Sequence, residues 1–105
     1  MSRQGSGDDR VVRAGGVVQL KGDLVFQTVP AIWRGQRNLF EGGEAVTVDL
    51  SGVGRVDSSA LALLLGWVRL ARAAKSPLSF SHIPESLLTI ARVTGVEELL
   101  RDPLG

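Results

Sequence analysis

The run Ala45-Val46-Thr47-Val48-Asp49-Leu50-Ser51-Gly52-Val53-Gly54-Arg55-Val56-Asp57-Ser58-Ser59-Ala60-Leu61-Ala62-Leu63-Leu64-Leu65 decides how this chain folds. Ala45 to Leu50 is a β-branched, apolar stretch of the kind that makes a buried, central strand. Ser51 to Val56 reads as a loop with two glycines. Asp57-Ser58-Ser59 then supplies short oxygen-bearing side chains, which satisfy the free N–H groups of a helix start. A helix is predicted from Ser59 to Ala74, stopped by Ser76-Pro77. On a helical projection its apolar arc runs through Leu70, Leu63, Trp67, Ala60, Ala71, Leu64, Val68 and Leu61. That arc covers roughly 180° or more, whereas a helix lying on a sheet needs only about 100°. The solvated arc holds Ala62, Gly66, Arg69, Arg72 and Ala73, with Leu65 at its margin. The surplus apolar flank predicts cover by another helix or by a partner.

Upstream, Val11 to Leu20 suggests two strands around Gly15-Gly16, and Gly22-Asp23 marks a further turn. Leu24-Val25-Phe26 reads as a strand extension. From Thr28, a plausible N-cap with Pro30 in the first turn, the spacing Val29, Ile32, Trp33, Gln36, Phe40 predicts a helix that ends at Glu41-Gly42-Gly43-Glu44. Downstream, Leu78-Ser79-Phe80 predicts a short strand. A helix with Leu87, Leu88, Ile90, Ala91 and Thr94 follows, with Gly95 as its left-handed stop. Val96 to Leu100 adds one more turn or short helix. Strands separated by helices of this length form parallel, right-handed crossovers, so the fold class is α/β, a small mixed sheet with helices packed on it.

The chain has 105 residues, 44% of them hydrophobic and 22% charged, the balance of one globular domain with a real core. The polar, glycine-rich segment 1–10 reads as a disordered N-terminal tail and 11–105 as a single domain. A net charge of +1 gives no field for gripping a phosphate backbone, which disfavours nucleic-acid binding. No stretch approaches the ~20 apolar residues of a membrane span, so direct membrane insertion is not expected.

The chemistry of catalysis is sparse. There is no cysteine, which removes disulfides, thiolate nucleophiles and thiolate metal sites. The single histidine, His82, stands in a short loop beside Pro84, a poor setting for the base of a nucleophilic triad, and one histidine leaves a transition metal without ligands. Gly52-Val53-Gly54 lacks the third glycine of a dinucleotide loop and any Gly-Lys-Ser/Thr, so these glycines read as a tight strand-to-helix turn. No catalytic residue, cofactor or metal is predicted. The polar feature left is Asp57-Ser58-Ser59. Helix capping accounts for one of its side chains and not necessarily for three. Ser58 also stands where a helix N-terminus tolerates a phosphate or a partner's acceptors, which makes it a docking or modification point.

The stretch Val48 to Leu65, with Thr94-Gly95-Val96-Glu97-Glu98-Leu99-Leu100 at the end, resembles the signature of the STAS domain family over about Val17 to Leu100. That family includes the anti-sigma factor antagonists and the cytosolic tails of sulfate transporters. Gly22-Asp23-Leu24 with Val29-Pro30-Ala31-Ile32-Trp33, then Arg55-Val56-Asp57-Ser58, then Leu61-Ala62-Leu63-Leu64-Leu65 is most similar to one branch, the STAS subunit of Mla phospholipid-transport ABC complexes of Gram-negative bacteria. The resemblance implies a non-catalytic subunit that binds and supports the transporter's cytosolic ATPase subunit, in a complex that maintains outer-membrane lipid asymmetry. It also implies a cytoplasmic place, peripheral to the inner membrane through that partner. In the family the hydroxyl residue after the Asp, here Ser58, lies at the partner contact. That branch usually carries Thr there. Serine is what the anti-sigma factor antagonists carry, where it is phosphorylated, so an antagonist switched by an anti-sigma factor kinase at Ser58 is the alternative.

The expected partner-binding or regulatory residues are therefore Asp57, Ser58, Ser59, Leu63 and Trp67. Leu63 and Trp67 are candidate apolar anchors on the surplus flank of the helix. Packing of Trp67 inside its own domain stands level with that reading, while Trp33 reads as core.

Overall fold

In the computed structural model, which describes residues 10–103, the stretch Val46–Val56 is a single long strand, and the rest of the fold is arranged about it. The elements are β1 (Val11–Ala14), β2 (Val17–Leu24), α1 (Val29–Gly35), β3 (Val46–Val56), α2 (Ser58–Ala74), β4 (Leu78–Ser81), α3 (Glu85–Val93) and α4 (Glu97–Arg101). The sheet order is β1-β2-β3-β4. β3 is internal, parallel to β2 on one side and to β4 on the other, and β1 pairs antiparallel with β2 at the edge. Because β2, β3 and β4 follow one another across the sheet, right-handed crossovers put α1 and α2 on the same face. The strands alternate accordingly. Val18, Leu20, Val48, Leu50 and Leu78 are buried beneath the helices, while Gln19, Thr47, Asp49 and Ser79 turn to the other face.

The wide apolar arc of α2 is covered from within. Its buried residues share one core with Ile32 of α1, Leu87 and Ala91 of α3 and Leu100 of α4. Trp67 lies at the centre, 0% exposed. The helix ends at Ala74 as expected, with Lys75 in the left-handed conformation as its C-cap. Buried Ser76 donates its hydroxyl to the Glu44 carbonyl, tying this end of α2 to the approach to β3. Gly95, at φ +79°, ends α3 as expected.

Four local expectations are corrected. Gly22-Asp23 is no turn. β2 runs through it to Leu24, with register shifts between Gln19 and Lys21 and between Gly22 and Leu24 that absorb the irregularity. The expected loop Ser51–Val56 is the second half of β3, pairing Gly52 with Lys21 and Val56 with Leu24. Its glycines serve close strand approach rather than a turn, since a Cβ on Gly54 would stand 2.6 Å from Oδ1 of Asp23. The expected strand extension stops at Leu24, because Val25 and Phe26 turn towards α1. α1 itself ends at Gly35, short of Phe40. The chain then passes through turns that still bury Leu39 and Phe40. Of the expected tail 1–10, residues 1–9 lie outside the described residues, and the Arg10 carbonyl accepts from the Lys21 N–H at 2.8 Å.

Candidate partner-binding site at the start of α2

The N-terminus of α2 is held by one carboxylate. Asp57, in extended conformation, occupies the N-cap position, and its Oδ1 accepts the Ser59 N–H at 2.8 Å. Its Oδ2 reaches across to the segment after β2 and accepts the Phe26 N–H at 3.1 Å. From the other side, Oδ1 of Asp23 on β2 accepts the Arg55 N–H at 2.8 Å. Thr28 sits at the N-cap position of α1 but makes no cap bond. Its hydroxyl instead accepts the Val25 N–H at 3.0 Å, closing the turn that carries Phe26.

Capping thus accounts for Asp57 alone of the three predicted polar residues. Ser58 is the first residue of α2, exposed, and its hydroxyl has no hydrogen-bond partner among the described residues. Ser59 is half-buried beside it. Next to this pair, Phe26 is 68% exposed although its backbone is pinned by Asp57. An exposed aromatic side chain on a fixed backbone is a common interface anchor. Sequence reasoning missed it by assigning Phe26 to a strand.

The structure keeps Asp57, Ser58 and Ser59 together and takes the two apolar candidates away from the surface. Trp67 is core, sharing one buried cluster with residues of the sheet and of α1, α3 and α4, and Leu63 is only 2% exposed. Leu63 still reaches the floor of an open groove of about 600 Å³ between α1 and α2, walled by Val29, Pro30, Trp33, Ala62, Leu65, Gly66 and Arg69. Trp33, expected in the core, is half-buried there. Its signal in the sequence was Gly66, a glycine in a helix interior that costs about 1 kcal/mol relative to alanine and so calls for a packing reason.

His82 lies away from this site. Its Nδ1 is 3.1 Å from Oδ1 of Asp49, which turns to the helix-free face of the sheet. The Ser51 N–H above all, and His82 to a lesser degree, hold the Asp49 carboxyl below its ordinary value. Among the described residues no helix is long and apolar enough to cross a membrane, and no three His, Cys, Asp or Glu side chains cluster as a metal site.

Residues 9–101 match the family model described as "Mlab, STAS domain". The chain belongs to the MlaB-type STAS domain family. Among solved structures, this STAS domain is similar to the anti-sigma factor antagonist SpoIIAA in its unphosphorylated form. That likeness has a TM-score of 0.62 at 18% identity and covers 78% of this chain and 79% of that one. It is also similar to part of the crystal structure of Mglu, at 27% identity and a TM-score of 0.56. This match covers 71% of the STAS domain but only 19% of the Mglu chain. None of the curated proteins matches it.

Proposed function

We propose that this STAS domain is a non-catalytic subunit that binds and supports the cytosolic ATPase of an ABC phospholipid transporter maintaining outer-membrane lipid asymmetry. The observation that carries this reading is the match to the MlaB-type family model across residues 9–101. The site agrees with it. An exposed hydroxyl at Ser58, a capped helix and a pinned aromatic residue form a surface suited to contact with a folded protein. Co-expression with the cognate ABC ATPase tests it. The two are expected to co-purify, and Ser58→Arg is expected to separate them by placing a long cation where the partner must close. Absence of co-purification with wild-type protein overturns the reading.

The serine itself favours a second reading, an anti-sigma factor antagonist whose Ser58 is phosphorylated by its partner kinase. Phosphate there adds nearly two negative charges beside the Asp57 carboxylate. Incubation with the kinase and ATP followed by intact mass measurement decides it, and an unmodified Ser58 dismisses it.

A further inference from the structure

On α2 the groove between α1 and α2 begins at Ala62, one turn beyond Ser58. Ser58, Ala62, Leu65 and Arg69 follow one another at helical spacing along one stripe, about 16 Å or three turns long at 1.5 Å per residue. All four are exposed or half-buried. At the far end Arg69 makes no hydrogen bond or ion pair among the described residues. Neither α1 nor α2 contains an Asp or Glu. The charges they carry are Arg34, Arg69 and Arg72. The acidic side chains on helices lie instead on α3 and α4, where Glu85 and Glu97 pair with Arg92 and Arg101. The groove therefore has apolar walls and a single charged residue, Arg69, in its lining.

We propose that this groove receives an amphipathic helix of a partner protein, its apolar ridge against Trp33 and Gly66 and an acidic residue on its flank against Arg69. The proposal rests on the reading of α2's N-terminus as a partner surface and extends that surface along the helix. A helix fits better than an extended peptide. Both walls are helices with no free backbone edge to pair with, so the occupant must satisfy its own N–H and C=O groups. Arg69 selects the sign, because a basic flank would meet it as a like charge. The same point disfavours a second copy of this chain. A two-fold contact through this face would offer the Arg69 of each copy an apolar groove and another Arg69 in place of an acid.

The test uses two labelled 14-residue helical peptides with the same leucine ridge, one flanked by glutamates and one by lysines, titrated by fluorescence anisotropy. Wild-type protein is expected to bind the glutamate peptide at least tenfold more tightly. Arg69→Glu is expected to reverse that preference, and Ala62→Arg, whose side chain fills the groove, to abolish binding while leaving the thermal midpoint unchanged. Equal binding of both peptides, or an Arg69→Glu protein with unaltered preference, overturns the proposal. So does a dimer in analytical ultracentrifugation that Ala62→Arg dissociates, or binding to phosphatidylglycerol vesicles in place of either peptide. The ATPase co-purification separates the two readings. Loss with Ser58→Arg but not with Ala62→Arg overturns the groove and keeps the partner. Arg69-dependent peptide binding with no ATPase co-purification supports the groove and overturns the partner.

Discussion

The indole of Trp33 lies directly on the backbone of α2 at Gly66. A Cβ added there would stand 2.8 Å from Cζ3 of the ring and 3.0 Å from Cη2. Two helices approach closely at this point because one of them has no side chain. Gly66→Ala sets a helix-propensity gain of about 1 kcal/mol against displacement of the ring. The single variant is expected to be no more stable than wild type, with Trp33 emission shifted to the red. In a Trp33→Ala background the same change is expected to stabilise by about 1 kcal/mol. A double-mutant cycle in urea measures both.

Asp57 serves two elements with its two oxygens, so its variants separate cap from tether. Asp57→Ala is expected to cost about 0.5–2 kcal/mol through the lost cap, read by chemical denaturation. Asp57→Asn has a single oxygen and can keep the Ser59 bond, but its amide nitrogen cannot accept from Phe26. It is therefore expected to retain most of the stability while hydrogen exchange at the Phe26 amide accelerates.

Trp67 is fully buried and Trp33 half-buried, so the two tryptophans carry different weights in stability. Trp67→Ala is expected to cost about 3–5 kcal/mol, the range for emptying a core site of this size, and Trp33→Ala clearly less because its ring is half-exposed. Trp67→Phe is expected to lose less than Trp67→Ala, since it keeps part of the volume and discards an indole N–H that has no hydrogen-bond partner among the described residues. Urea midpoints of the three variants give the order.

Glu97 accepts hydrogen bonds from Arg101 and Arg92, with the Arg101 bond the larger influence, and its carboxyl is held below the ordinary glutamate value. A depressed folded-state pKa means that the contribution is complete above the unfolded-state pKa, about 4.3, and fades as pH falls through the folded one. Thermal scans are expected to show the wild-type midpoint dropping more steeply than that of Glu97→Gln below about pH 4. The difference is expected to be small and to shrink in salt, because the pair is exposed.

The sequence was most informative where a local signal and the tertiary structure asked for the same thing. The β-branched run before Leu50, the Asp57 cap and the Gly95 stop are each visible because backbone and side chain agree there. Gly22-Asp23 and Gly52-Val53-Gly54 misled because glycine marks both turns and close strand approach, and only pairing between β2 and β3 tells them apart. At the site, Ser58 was legible as an unused hydroxyl. Of the two apolar candidates, Leu63 lines the groove and Trp67 lies in the core. Helical periodicity ranks side chains by hydropathy, so Trp67 outranked a surface made of Gly66, Ala62 and a tryptophan from another helix.

The crossed carboxylates at the start of α2 bear on how fast a partner can bind. Asp23 on β2 holds the Arg55 amide of β3, and Asp57 beyond β3 holds the Phe26 amide beyond β2, so each segment is fastened by an acid from the other. A surface fastened this way keeps its shape before any encounter, and little chain entropy remains to be lost on contact. For a partner that binds at the proposed surface, association is then expected to be rigid docking, its rate governed by collision and orientation, with differences in affinity arising mainly in how long partners stay.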